Sequence, residues 1–399
     1  SVSVSNIIND VKKNGDKALL KYEKKFNKNK IIIPTNKQIS KSIQSLNKNI
    51  KKAIDVAYER IYKFHSLQKF KNITYLDKYK NKINYKYLPL ESVAIYVPGS
   101  TASYPSSVLM NGIPALCAGV KRIVMINPGY KGKQNPAVLY AAKKLKIKEI
   151  YSIGGPSAIA AVAYGTKKIK PVNKVIGPGN QHVAAAKKEV FGDIGIEGMT
   201  AGPSEVTIVA DKTSNPEWIA SDLIGQAEHD ILAQCILISK DKKILELTRK
   251  EIFKQLKLIP RSSIAKKSLM TNGILMNVSS DKKIIEIINK LGPEHLEISI
   301  KKYKPLVSKI KNAGSVCLGK YGVMAMTDYG VPGTNHVLPT NSTSKYSSGL
   351  NVSEFMKRIS FITLSKKGID KLGPSAITLA NYEGLSAHAE SIVKRIRRK

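Results

Sequence analysis

Residues 91–127 read ESVAIYVPGSTASYPSSVLMNGIPALCAGVKRIVMIN. The run VAIYV at 93–97 is short, β-branched and aromatic, and is closed by Pro98 and Gly99, which marks a strand. A polar loop, PGSTASYPSS, separates it from an apolar stretch of helical length at 107–118, and RIVMIN at 122–127 is a second strand. Strand, loop, helix and strand in this order form the βαβ unit of a parallel sheet.

The rhythm continues outward. A helix over 135–145 is followed by EIYSIGG, PSAIAAVAYG, NKVIGPGN and HVAAAKKEVF. A second round begins at SEVTIVAD (204–211), with helices at 216–228, 243–255 and 281–291 between ILISKD, GILMNVS and SVCLG. The fold class expected is α/β: two Rossmann-like, open, mostly parallel sheet domains with helical N-terminal and C-terminal segments. The expected domains are a mainly helical segment 1–90 packing on the second α/β domain, α/β domains at 91–200 and 201–345, and a helical extension 346–399 serving a dimer and the active site. The stretch from 353 (SEFMKRISFITLS, then 366–397) reads as helical.

Composition narrows the class. A chain of 399 residues with 42% hydrophobic and 24% charged residues is globular, and no apolar run is long enough for a bilayer. The first twenty residues are amphipathic and lack the parts of a secretory signal, and the chain begins at Ser, as a trimmed longer product would. The net charge of +37 raises a nucleic-acid or anionic-membrane partner. The lysines are spread through Asn- and Ile-rich stretches such as KFNKNKIII, so the charge reads as compositional drift with no specific nucleic-acid partner. The segment 41–90 is the place where a nucleic-acid footprint would fit best. Cys117, Cys235 and Cys317 are far apart in apolar contexts, as buried thiols of a reducing compartment are.

Four polar segments carry the chemistry. In SDLIGQAEHD (221–230), Asn215 and Pro216 start a helix whose buried face is Ile219, Leu223 and Ala227. At about 100° per residue, Gln226 returns to within roughly 20° of Ile219 and Glu228 points about 180° away. Gln226 and His229 are therefore expected to face inward, unless this is simply a helix end with a stabilising His. GPEHLEI (292–298) sets Glu294 beside His295 at a strand entrance, suited to paired acid–base work or to a surface loop. MTDYGVPGTNHVLPT (326–340) brackets a Gly/Pro-rich loop with Asp328 and His336. In NYEGLSAHAE (381–390), Glu383 and His388 lie about 140° apart on an ideal helix and share a site only if Gly384 interrupts it or if they touch different groups. Four of the six His fall in such segments, each near an Asp, Glu or Gln, a donor set that suits zinc, with manganese or cobalt as alternatives. GPSE at 202–205 adds Ser204 at a turn before a strand. The loops PGS (98–100) and GPGN (177–180) each join strand to helix, where backbone N–H groups can receive a phosphate or form an ordinary tight turn; neither is G-x-G-x-x-G.

VAIYVPGSTASYPSSVLMN, KVIGPGNQHVAAAK, AGPSEVTIVAD, QAEHD, GPEHLEI, TNHVLPT, SSGLNVSEFMKR and EGLSAHAESI occur in series from about residue 7 to 397. Together they resemble the histidinol dehydrogenase family. The resemblance implies a cytoplasmic homodimer that oxidises L-histidinol through L-histidinaldehyde to L-histidine, the last two steps of histidine biosynthesis, with two NAD and one zinc ion per subunit. It implies Gln226, His229, Asp328 and His388 as zinc ligands, with His388 supplied by the partner subunit. It implies Glu294 and His295 as acid–base residues, and Ser204, His336 and Glu383, together with the ligand set and His295, as substrate contacts. Tyr96 and Asn180 match cofactor-contacting positions. Two departures stand out: Ser157 replaces a usual cofactor-contacting Gln in GGPSA, and the segment from Asp328 to His336 is one residue longer than usual. The N-terminus is also shorter than usual. The competing readings are an alcohol dehydrogenase for another small substrate and an inactive basic scaffold.

Overall fold

The computed structural model describes residues 3–68, 70–99, 104–129, 133–198 and 202–396. Residues 100–103, which belong to the expected loop after the first strand, and Arg397–Lys399 of the basic tail lie outside the described residues. The strands in chain order are β1 (Ile73–Leu76), β2 (Lys82–Pro89), β3 (Ser92–Tyr96), β4 (Arg122–Ile126), β5 (Glu149–Tyr151), β6 (Lys174–Ile176) and β7 (Gly195–Ile196). They continue as β8 (Glu205–Ala210), β9 (Gln234–Ser239), β10 (Gly273–Asn277), β11 (His295–Ile298), β12 (Ser315–Leu318) and β13 (Met356–Thr363).

The chain divides into two compact units, residues 1–68 with 91–354 and residues 69–90 with 355–399. The larger unit holds two five-stranded sheets, ordered β5-β4-β3-β6-β7 and β10-β9-β8-β11-β12, with every pairing parallel. Both follow one plan: the first strand of each set is central, the next two extend one way and the last two the other. The order reverses between β3 and β6, and between β8 and β11.

Both faces of each sheet are covered, as parallel sheets require. Alternate residues of β3 feed opposite layers: Ala94 and Tyr96 join one core, Ile95 and, just beyond the strand, Val97 the other. In the second sheet Val206, Ile208 and Leu237 face the helix Pro216–Ala227, while Val209, Ile238 and Leu296 face the helix Asp281–Leu291.

The lysine-rich helices at the start pack on the first sheet, not on the second domain as expected. Ile7, Ile8, Val11 and Leu19 of Val4–Tyr22 enter one layer, and Ile54, Ala57 and Ile61 of Lys48–Ser66 enter the other. Their apolar stripes at helical spacing complete the two covers of that sheet.

The smaller unit corrects two further expectations. Residues 73–76 and 82–89 are antiparallel strands, and 356–363 is a strand paired with β2, giving the sheet β1-β2-β13. ITYL, KINYKYLP and MKRISFIT alternate with period two and are rich in β-branched and aromatic residues, which favours strand over helix. Asp77 closes the hairpin by accepting from the Tyr79 and Asn81 amides at 2.8 Å each. Helices Lys366–Tyr382 and Ser386–Ile396 follow.

Candidate active site

Most candidate residues of the larger unit gather at the amino edge of the second sheet. His295 opens β11, Glu294 precedes it, and Ser204 precedes β8. Gln226 lies in the last turn of Pro216–Ala227, and Asp328 ends the turn Met324–Asp328, which packs against both that helix and β11. The expected phase holds for Gln226, which is buried, while Glu228 is the C-cap. His229 lies one residue past the cap; the residue is exposed overall, yet burial lowers its pKa and it is near enough to His295 and His336 to disfavour their charging.

His295 Nε2 is 3.5 Å from Asp328 Oδ1 and 4.0 Å from Glu294 Oε1. Burial, helped by His336 and His229, pushes the His295 pKa down to about 3, so its ring is neutral and these approaches are not salt bridges. Burial pushes Glu294 up to about 8, against the Glu205 amide that donates to Glu294 Oε2 at 2.9 Å. Burial also raises Asp328 to about 6. His336 Nδ1 lies 2.6 Å from the Asp328 carbonyl, so Nδ1 carries the proton and Nε2 is left as an acceptor. The longer Asp328–His336 loop is thus closed on itself, and Asp328 stays beside His295.

Two buried polar atoms here have no partner, Gln226 Oε1 and His295 Nδ1. A buried amide oxygen without a donor, together with a neutral imidazole and a carboxylate, is the residue chemistry of a zinc site with N/O ligands. Among the described residues no group of three or more His, Cys, Asp or Glu is arranged to hold a metal. The set from this unit, Gln226, His229 and Asp328, contains only two residues of those types. Glu383 and His388 lie in the smaller unit, both exposed; Gly384 (φ +75°) separates their helices, as sharing a site requires.

The first sheet presents Tyr96 and Asn180 at its carboxyl edge, beside the reversal between β3 and β6, where ligands of open α/β sheets bind. The starts of the helices Gly155–Tyr164 and Gln181–Val190 are bonded from within, while Pro105–Ala118, which follows β3, has no side-chain cap. Gly154 N–H donates to Glu23 Oε1 at 2.8 Å and Gly155 N–H to the Tyr96 hydroxyl at 3.0 Å. Asn180 Oδ1 accepts from the His182 and Val183 amides at 3.1 Å each. The glycine loop is there for close backbone packing: a Cβ on Gly177 (φ +112°) would lie 2.4 Å from the Tyr96 carbonyl oxygen. Asn180 is exposed, with its amide nitrogen the group it can offer; Tyr96 can still donate its hydroxyl proton. Ser157 is buried, its hydroxyl 3.1 Å from Gly154 O and 3.4 Å from Glu23 Oε1.

Sequence reasoning missed four acids. Glu205 pairs reciprocally with Glu294, and Glu23 closes the helix start at Gly154. Asp222 and Glu297 lie beneath the site. Period two from His295 and one helical turn back from Gln226 would have flagged Glu297 and Asp222.

A family model for histidinol dehydrogenase matches residues 1–396. The histidinol dehydrogenase of Pelagibacter ubique (strain HTCC1062) is 76% identical over 399 residues, covering 100% of this chain and 93% of that protein. That of Bacillus subtilis (strain 168) is 45% identical, covering 99% and 93%. The crystal structure of histidinol dehydrogenase from Elizabethkingia anophelis superposes with a TM-score of 0.94 at 39% identity, covering 99% of this chain and 91% of that one. With the family model spanning the two sheets and every polar segment described above, the chain belongs to the histidinol dehydrogenase family, oxidoreductases of histidine biosynthesis.

Proposed function

We propose that this chain carries out both oxidations, L-histidinol to L-histidinaldehyde and L-histidinaldehyde to L-histidine, with NAD and one zinc ion per subunit. The observation that carries this reading is the buried, neutral His295 beside Glu294 and Asp328, with the orphaned Gln226 amide oxygen in the same layer. Gln226, His229 and Asp328 would hold the metal, with His388 supplied by a second copy of the chain. Zinc, when bound, offers a closed-shell Lewis acid that orients amine and imidazole nitrogens, and NAD accepts the hydride of each oxidation.

The residues of the chain do the proton work. The uncharged His295 imidazole takes the hydroxyl proton as the carbinol carbon loses hydride. In the second oxidation Glu294, in the ionised form that its raised pKa of about 8 favours at alkaline pH, takes a proton from the water that adds to the aldehyde. Glu205, whose amide holds Glu294 Oε2, keeps that oxygen in place. Ser204, His336 and Glu383 hold the substrate's polar ends, with His336 locked as one tautomer by the Asp328 carbonyl. Tyr96 and Asn180 line the cofactor's crevice. Two helix starts beside these residues are bonded from within, so side chains such as Tyr96 and Asn180 would supply contacts to the cofactor there.

A homodimer is supported by the smaller unit, whose Phe361, Ile362, Leu364, Leu379 and Tyr382 are exposed while few of its residues are buried. No helix among the described residues is long and apolar enough to cross a membrane. The cytoplasm is the compartment proposed, and the lysine excess is assigned no nucleic-acid partner.

The test is NADH release from histidinol by the purified protein, expected at two NADH per histidinol and dependent on zinc. Glu294→Gln should slow aldehyde oxidation by about 10²–10⁴-fold and alcohol oxidation far less. Equal losses in both half-reactions would remove Glu294 as the water-activating base, and full turnover after exhaustive metal removal would remove zinc.

A further inference from the structure

Asp222 and Glu297 take no part in the chemistry above, and both carboxyls are held inside the protein. Glu297 lies two residues beyond His295 on β11 and so on the same face of the strand; Leu296 and Ile298 face the opposite layer. It is almost fully buried, beside the aliphatic layer that contains Leu223 and Met324. Glu297 Oε1 accepts the Met324 amide at 2.6 Å. Met324 is the first residue of the turn Met324–Asp328, so this bond anchors a five-residue turn whose last residue is Asp328. The Glu297 carboxyl also lies close to that of Asp222, which stands one helical turn before Gln226, while Glu297 Oε2 has no hydrogen-bond donor. Two buried carboxyl groups this close favour one shared proton over two charges. The pair thus ties together the helix of Gln226, the strand of His295 and the turn of Asp328.

Folding stability gives no reason for acids at this place. Buried carboxyls cost desolvation, and a leucine of similar volume would fill the layer at least as well. We propose that Glu297, backed by Asp222, is a positioning residue: it fixes the Met324–Asp328 turn against β11 and the helix of Gln226, and so sets the Asp328 carboxylate beside His295 Nε2. This rests on the reading of Asp328 as a zinc ligand. The partner of a metal ligand's own element acts as an outer shell, whose loss lowers metal affinity or activity by about 10–100-fold.

The test compares Glu297→Gln with Glu297→Leu in the full chain. It measures zinc affinity by competition with a chromophoric chelator, the unfolding midpoint of the metal-free protein, and steady-state kinetics with histidinol and NAD. Glutamine keeps an oxygen for the Met324 amide and gives an N–H to Asp222, so zinc affinity and kcat should stay within about threefold of wild type, since both contacts survive. Leucine should weaken zinc binding by about 10–100-fold and lower kcat, with KM for NAD unchanged and the metal-free unfolding midpoint unchanged or higher. Asp222→Asn against Asp222→Val repeats the contrast from the helix side if the leucine variant does not fold. Zinc affinity unchanged in Glu297→Leu overturns the proposal. So does an equal loss in the glutamine and leucine variants accompanied by a lowered metal-free midpoint, which would mark a purely structural pair. Wild-type protein that binds no zinc rejects the metal reading itself, and this inference with it, and that result appears before any substitution is made.

Discussion

Changing Glu23 to glutamine isolates the cost of a charge held inside the first domain. Glu23 begins the π-helical turn Glu23–Asn27 that ends the first helix, and it has no exposed surface. Its Oε1 accepts from Gly154 N–H at 2.8 Å and faces the Ser157 hydroxyl at 3.4 Å; its Oε2 accepts from Asn27 at 2.8 Å and Asn29 at 2.9 Å. Even with these donors, burial dominates and raises the pKa from the ordinary 4.5 to about 6. The folded protein therefore holds this proton more tightly than the unfolded chain. Below pH 4.5 both states are protonated and nothing is lost. Between 4.5 and about 6 the unfolded chain ionises first, and stability falls as pH rises. Above that the penalty is constant at about 2 kcal/mol, from about 1.36 kcal/mol per pKa unit. Glutamine has no such titration. It also turns an amide N–H toward the donors Asn27 and Asn29 or toward Gly154 N–H, a pH-independent loss of about 1–3 kcal/mol. Thermal unfolding of both proteins from pH 4 to pH 8 checks this. The wild type's advantage over Glu23→Gln should shrink by about 2 kcal/mol across that window, roughly 2–3 °C for a chain of this length, and then stay flat. Parallel curves at all pH values would refute the reasoning, because the carboxyl would then titrate alike in folded and unfolded chains.

Two further substitutions probe the same domain. Lys187 is fully buried with its pKa pushed down to about 8 by burial, and its ammonium group donates to the carbonyls of Gly177, Glu197 and Gly198. Lys187→Met should orphan those carbonyls, lower stability by about 3–5 kcal/mol, and raise KM for NAD through the displaced Gly177–Asn180 loop; chemical denaturation and NAD kinetics read the two effects. Ser157→Ala should cost about 1 kcal/mol by removing one hydroxyl bond and leave KM for NAD within about twofold, because that hydroxyl is turned inward to Gly154 O. A tenfold rise in KM would restore Ser157 to the cofactor site.

Much of the architecture was legible because period and punctuation agree over 91–300. Buried strands such as VAIYV and EVTIVA are bounded by Gly and Pro, and helices between them carry Asn or Asp caps, so local and tertiary preferences coincide. The smaller unit was misread for a physical reason. KINYKYLP and MKRISFIT contain lysines that also suit helices, and their strand character is completed only by pairing residue 82 with 363, a contact far apart in sequence. The docking of the first helices on the first sheet was hidden in the same way, since an apolar stripe says that a face is buried and not against what.

The candidate site was legible where a side chain's type alone implies chemistry: Gln226, Glu294, His295, Asp328 and His336 are all isolated polar residues in apolar or glycine-rich surroundings. Glu297 was not, although it lies in the same heptapeptide GPEHLEI. A carboxylate in a short strand reads as solvent-facing until the opposite layer is known. Once Leu296 and Ile298 are seen to fill one core, Glu297 must occupy the other, and a charge there needs a partner. Met324 N–H and Asp222 are those partners, both brought in from other elements. The residues proposed to touch the substrate announce themselves by composition; residues that hold them in place do so only through geometry, and the Glu297 variants therefore separate the two kinds of proposed role.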